Sequence, residues 1–329
     1  MVWLKFAVCV LIILLAGSKT AQYADIIAEK TRLGRLWVGM LILAIVTSMP
    51  ELVTSVSSVS LVHDPNLGLG TLIGTCIFNL CILVVLDIMN KGKPVLSLAS
   101  PKHIRSLAIG ILLTSIIGTG IIFKEQLSVL HLSYLGIPSI LVLVVYIVVL
   151  WQLTKQRRET PPDSSLLQYD HTSGRYVWLK FVTSALAIIG AGIWLSVVGE
   201  EIAEVTGWGA SFVGSLLLAI TTSLPEVTVA FASVRLGAVD LAVGDILGAN
   251  MLDLTYLFAI DLAYGRELIL ANASRANLVT LALLGVMYIV LAIAFKFPAQ
   301  RKMFGLASWY TPILVVLYMV GAYFLFHLQ

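Results

Sequence analysis

The sequence predicts an all-α polytopic membrane protein: ten transmembrane helices arranged as two inverted five-helix repeats. Three observations carry that prediction. The 329 residues are 59% hydrophobic and 12% charged, with a mean hydropathy of +0.98, whereas a soluble domain is nearer half apolar and a quarter charged. Apolar runs of about 20 residues, each long enough to cross about 30 Å of hydrocarbon as a helix, fall at 3–24, 36–61, 68–89, 104–123, 130–153, 177–198, 210–235, 241–263, 276–295 and 308–327. Residues 2–59 and 177–234 also align without a gap, with about 26 of the 58 positions identical, far more than shared composition produces.

The first run has the look of a signal peptide, with Lys5 followed by the apolar stretch Phe6–Ala16. Its opening Val-Trp-Leu-Lys-Phe recurs at Val177–Phe181 in mid-chain, where no signal peptide acts, so it reads as the first helix of a repeat. The second run carries Thr47-Ser48-Met49-Pro50-Glu51 and ends at the Val62–Leu67 loop. The third holds Gly70, Gly74 and Asn79, and a Gly-xxx-Gly spacing predicts close helix packing. Two further runs complete a first repeat over 1–153.

A polar stretch with Pro161-Pro162 follows and predicts a flexible linker over 154–176. The second repeat, 177–329, brings Thr222-Ser223-Leu224-Pro225-Glu226 in its second helix. Beyond residue 59 the alignment resumes with one extra residue in the first copy, placing Gly70 over Gly244, Gly74 over Gly248, Asn79 over Asp253 and Asp87 over Asp261. Equivalent helices are separated by an odd number of crossings, so the second half lies upside down relative to the first.

Lys and Arg collect in alternate loops, around 30–35, 91–105, 155–175, Arg235 and 296–302. The positive-inside rule makes that face cytoplasmic, with the linker on it and both termini outside a plasma (inner) membrane. Cys9, Cys76 and Cys81 fall inside predicted helices without metal-ligand spacing and read as small packing residues.

Glu51 and Glu226 lie in mid-run, near the bilayer centre, where an ionised group costs roughly 3 kcal/mol. No deeply placed Lys or Arg accompanies them; a bound cation would serve as partner. Pro50 and Pro225 withhold a helical N–H and release the carbonyls of Val46 and Thr221. Thr47 and Thr222 stand one turn before each glutamate, and Ser48 and Ser223 add further hydroxyls. Such an all-oxygen set suits calcium, and two carboxylates balance its charge. Asn79 and Asp253 are added in register by the next helices. The plainer reading, a proline kink with self-bonded hydroxyls, explains neither two buried acids nor their equivalence. Asp87 and Asp261, at helix ends, read as interfacial, and Asp245 as lying near the headgroups.

At these residues the chain resembles the calcium/cation antiporter superfamily, in particular prokaryotic sodium/calcium exchangers, whose repeats carry Ser-Leu-Pro-Glu followed by a Gly-Asn-x-x-Gly-Ser-Asn-x-x-(Asn or Asp) helix. The resemblance covers nearly the whole chain. It implies ions held by Glu51, Glu226, Thr47, Thr222, Ser48, Ser223, Asn79 and Asp253, with the carbonyls of Ala44 and Ala219; Thr75 keeps the hydroxyl of the family's Ser. Thr71, Cys76, Asp245 and Ala249 depart from the pattern, and Ala249 bears on sodium stoichiometry.

The expected function is antiport of calcium against sodium by alternating access, with a calcium/proton exchanger as the alternative. An intramembrane aspartyl protease needs paired aspartates, and here the mid-membrane acids are glutamates beside prolines. A transport-inactive scaffold is a third reading, raised by the altered 71–76 stretch. The expected partners are calcium, sodium and the lipid bilayer; no cofactor, nucleic acid or obligate protein partner is expected, and the protein reads as no enzyme.

Overall fold

The computed structural model describes residues 2–31, 35–60, 63, 65–90, 92–127, 131–132, 135–159, 174–206, 219–265, 267–303 and 305–327. Helix α1 spans Val2–Lys30, and α2, Arg35–Thr47, contains a π-helical stretch at Val38–Leu43. They are followed by α3 (Met49–Ser60), α4 (Pro65–Met89), α5 (His103–Ile122) and α6 (Ile137–Glu159). The second half holds α7 (Gly174–Thr206), α8 (Ala219–Thr222), α9 (Leu224–Arg235), α10 (Val239–Tyr264), α11 (Arg275–Lys296) and α12 (Tyr310–His327).

Each predicted run has its helix. α1, α4, α5, α7, α10 and α11 are long and apolar enough to cross a membrane alone, and α2 with α3 forms one span bent by 43°. α6 and α12 supply the shorter apolar stretches Ile137–Gln152 and Tyr310–Gly321. The seventh crossing is described from Ala219 onward, and its earlier part, 210–218, lies outside the described residues.

Two boundaries differ from expectation. The run predicted as helix over 130–153 becomes helical only at Ile137, because Pro138 lacks an N–H and belongs in a first turn; before it His131–Leu132 pairs antiparallel with Leu135–Gly136. Helix also enters the predicted linker from both sides, through Glu159 and from Gly174. Lys155, Arg157 and Arg158 are good helix formers and carry α6 onward. Residues 160–173 of the linker lie outside the described residues.

The inversion is visible in paired contacts. Lys5 of α1 meets Glu201 of α7 at 2.8 Å, while Thr20 of α1 meets Ser184 of α7 at 2.9 Å. As the number rises on one helix it falls on the other, so these equivalent helices run antiparallel. At the middle of the bundle, the aligned residues Cys76 on α4 and Asn250 on α10 bond reciprocally: Asn250 Nδ2 donates to the Cys76 carbonyl at 3.0 Å and Cys76 Sγ to the Asn250 carbonyl at 3.6 Å. Reciprocal contact between equivalent residues is what a two-fold axis passing between them produces.

α10 is the most buried helix, packed against α2, α3, α4, α5, α6 and α9. α1 and α7 lie against each other, and each reaches the Pro-Glu helix of the opposite repeat, Gly17 against Thr228 and Gly192 against Pro50. The glycine spacings behave differently in the two copies. A Cβ on Gly244 would stand 3.0 Å from the Leu36 carbonyl, and one on Gly248 would collide with the backbone of Met40. At Gly70 the nearest neighbour is Asn277 Oδ1 at 3.9 Å, and at Gly74 no described atom comes within 4 Å. Close packing holds for the second repeat; the first shows none among the described residues.

Asp87 and Asp261, near the ends of α4 and α10, are buried inside the bundle. Asp87 accepts from the Val95 N–H, the Ser308 N–H and hydroxyl, the Tyr310 hydroxyl and the Thr311 hydroxyl, at 2.8–3.0 Å. Asp261 accepts from the Ile269 N–H, the Gly136 N–H and the Ser139 hydroxyl, at 2.6–2.9 Å. Each aspartate thus binds the N–H eight residues further along its own chain and the first turn of the last helix of the other repeat. Apart from Val95 and Ile269 the donors lie more than 100 residues away in sequence, which is why a position near the end of an apolar run gives no sign of them.

Candidate functional site

Proline sets the local geometry. Pro50 and Pro225 have no N–H to give, so each second helix breaks two residues earlier, and the break has the same shape twice: φ −85°, ψ 7° at Ser48 and φ −84°, ψ 3° at Ser223. A new helix starts at once, with Glu51 or Glu226 in its first turn. There unpaired N–H groups and the positive end of the helix dipole favour a carboxylate.

Thr47, Ser48, Glu51, Thr75, Asn79, Thr222, Ser223, Glu226 and Asp253 are all fully buried, as is Ala44. Ala219 opens α8, and its side chain lies outside the described residues. The pairing crosses between repeats: Ser48 Oγ lies 3.4 Å from Glu226 Oε1, the Thr47 hydroxyl faces Glu226, and the Thr222 hydroxyl faces Glu51. Antiparallel halves therefore place each glutamate opposite the threonine of the other.

Polar atoms without hydrogen-bond partners among the described residues gather here. They include both oxygens of Glu51 and of Asp253, Oε2 of Glu226, both amide atoms of Asn79, and the hydroxyls of Thr75 and Ser223. Each such group costs about 1–3 kcal/mol if left unsatisfied, so their concentration marks a place built to hold something polar. Among the described residues no three His, Cys, Asp or Glu side chains form a metal-holding group, so an ion at this centre draws on hydroxyls and carbonyls besides its carboxylates. The Ala44 carbonyl is within reach but already accepts the Ser48 N–H at 3.0 Å, which leaves it one lone pair.

Asp245 belongs to this centre and not to the headgroup region. It is fully buried, and the Thr47 hydroxyl lies 3.3 Å from its Oδ1. The apolar run begins at residue 241, but α10 starts at Val239, and Asp245, Ala249 and Asp253 fall at successive turns of it. That i, i+4, i+8 spacing from Asp253 was the signal available. The buried hydroxyls of Tyr146, Tyr256 and Tyr288 also lack partners among the described residues and have no sequence signal. The buried side chains described include no Lys or Arg.

Comparison with known proteins agrees with this geometry. The Inner membrane protein YrbG of Escherichia coli (strain K12) is 27% identical over 268 residues, covering 78% of this chain and 81% of the relative. The Putative antiporter CaxA of Alkalimonas amylolytica is 27% identical over 270 residues, covering 78% of each. Among solved structures, the sodium-calcium exchanger NCX_Mj soaked with 2.5 mM Na+ and 10 mM Sr2+ superposes with a TM-score of 0.74 at 20% identity, over 98% of this chain and 99% of that one, a likeness of fold. The sequence model described as Sodium/calcium exchanger protein matches residues 1–155 and 176–327. With that match over most of its length, the chain is a multi-pass integral membrane protein that belongs to the sodium/calcium exchanger protein family of the calcium/cation antiporter superfamily.

Proposed function

We propose that the protein exchanges calcium for sodium across the membrane, with both ions competing for the Glu51–Glu226 centre as it opens to one side at a time. One observation carries the reading: two fully buried glutamates from inverted helices, each facing the other repeat's threonine, with unpaired oxygens and, among the described residues, no buried Lys or Arg beside them. Calcium takes six to eight oxygen ligands, and its two charges match the two glutamates. Thr47, Thr222, Ser48, Ser223, Thr75, Asn79, Asp253 and the Ala44 and Ala219 carbonyls complete the set in this reading. Matching breaks in antiparallel helices make the two halves near-equivalent about the centre, which suits alternating access. The ions are cargo, and the protein acts as a transporter without a resident cofactor and without an enzymatic step. It sits in the plasma (inner) membrane with its termini outside and the 154–176 linker in the cytoplasm, between repeats 1–153 and 177–329.

Vesicles holding the purified protein and loaded with sodium are expected to accumulate labelled calcium, and Glu51→Gln and Glu226→Gln to lower uptake and calcium binding at least about 100-fold, as loss of a buried charged ligand implies. Retained calcium binding in both variants would refute the site. A proton-coupled exchanger is the second reading, favoured by the two further buried acids, Asp245 and Asp253; uptake driven by a pH gradient without sodium would select it.

A further inference from the structure

Asp245 is a buried acid with no counterpart in the first half. The residue aligned with it, Thr71, is buried too, but its hydroxyl donates to the Leu67 carbonyl of its own helix at 2.8 Å and needs nothing more. Asp245 turns Oδ1 toward Thr47, and its Oδ2 has no hydrogen-bond partner among the described residues. The Thr47 hydroxyl is itself shared, lying 3.1 Å from the Leu43 carbonyl and 3.4 Å from the Ala44 carbonyl as well as 3.3 Å from Asp245. One hydroxyl proton serves only one of these three acceptors.

The crowding is built into the backbone. α2 reaches Leu43 through a π-helical stretch, a form frequent at functional sites. Gly244 and Gly248 let that stretch lie directly on α10, which brings Thr47 to Asp245. The result is a carboxylate and two carbonyls gathered around one threonine hydroxyl whose single proton they share, with the Ala44 carbonyl also accepting the Ser48 N–H, an oxygen set suited to a hard cation and to no soft one.

We propose that Asp245 and Thr47 form a subsite for one sodium ion beside the Glu51–Glu226 pair, present in the second half of the centre and missing from the first. This rests on the antiport reading and adds to it. Two glutamates balance calcium; Asp245 is a carboxylate beyond these two and Asp253, and a sodium ion bound there in the sodium-loaded state raises the number of sodium ions exchanged per calcium by one.

The test uses full-length protein in vesicles with the membrane potential clamped at zero. The equilibrium calcium ratio then rises as a power of the sodium ratio, and removing one sodium from the exchange lowers calcium accumulation about tenfold under a tenfold sodium gradient. Asp245→Asn, and Asp245→Thr carrying the residue already present at position 71, are both expected to show that fall. An equal ratio in wild type and both variants overturns the subsite, and so does a fall that follows a pH gradient instead of a sodium gradient. Sodium-dependent thermal stabilisation in detergent needs no transport. It is expected to weaken in both variants while stabilisation by calcium persists, and loss of both together would place Asp245 in the calcium cage and overturn a separate sodium site. Wild-type protein that takes up no calcium under either gradient refutes the antiport reading, whereas the stabilisation experiment still decides Asp245.

Discussion

At one face of the bundle Asn66, at the start of α4, accepts the Ser274 N–H at 2.8 Å and the Asn277 amide at 3.2 Å. At the opposite face the aligned residues repeat the joint: Asp240, at the start of α10, takes the Ser100 N–H at 2.6 Å and meets His103 Nε2 at 3.1 Å. One joint is made of amides, the other of ionisable groups, and the geometry is the same. Asp87 and Asp261 form a second pair of equivalent joints, and there both copies keep a carboxylate. The difference lies in the number of donors. Asn66 and Asp240 each receive two bonds on one oxygen, which an amide oxygen with two lone pairs can accept; Asp261 receives three and Asp87 five, which it cannot. Side chains are thus interchangeable where two bonds suffice and fixed where more converge.

Replacing each aspartate by asparagine turns that argument into a ranking. Asp87→Asn strands about three buried donors and is expected to cost at least about 3 kcal/mol at about 1–3 kcal/mol each. Asp261→Asn strands one and should cost about 1–3 kcal/mol. Thermal unfolding in detergent without calcium measures both, and equal losses would break the donor-count explanation. The glycines extend the contrast between halves. Gly248→Ala, against the Met40 backbone, is expected to destabilise by about 1–3 kcal/mol through overpacking, whereas Gly70→Ala, with its nearest neighbour at 3.9 Å, is expected to be neutral or to gain up to about 1 kcal/mol of helix propensity.

What was legible in the sequence follows from this contrast. Repetition and the Pro-Glu breaks are local in sequence, so the inversion, the bent helices and the burial of Glu51 and Glu226 could be read directly. The protein partners of Asp87, Asp261 and Asp245 are not legible, because an acid near the end of an apolar run looks like a headgroup residue. Its burial depends on donors such as Ser308 and Thr311, more than 200 residues away, or on a hydroxyl from the other repeat. Gly-xxx-Gly reads alike in both copies, yet only the second meets a backbone among the described residues, because packing belongs to the partner as much as to the motif.

Further down the scale, Asp240→Asn with His103→Asn rebuilds at one face the amide joint that already stands at the other. Two bonds to one oxygen survive the change, so the expected cost is within about 1 kcal/mol. A loss as large as that of Asp87→Asn would mean that charge, and not bond count, holds this joint. The smallest effect belongs to the α1–α7 contact. Lys5 pairs with Glu201, both about two-fifths exposed, whereas the aligned Lys180 has Ile26 at the matching position and lies over the Tyr176 ring at 5.5 Å. Exposed pairs contribute about 0–1 kcal/mol and weaken with salt, so Lys5→Ala should lower stability slightly at low ionic strength and not at high. Lys180→Ala, losing a contact with a ring instead of an acid, should show less salt dependence. A salt-independent loss on Lys5→Ala would mean that its hydrocarbon stem, packed between the two first helices, matters more than its charge.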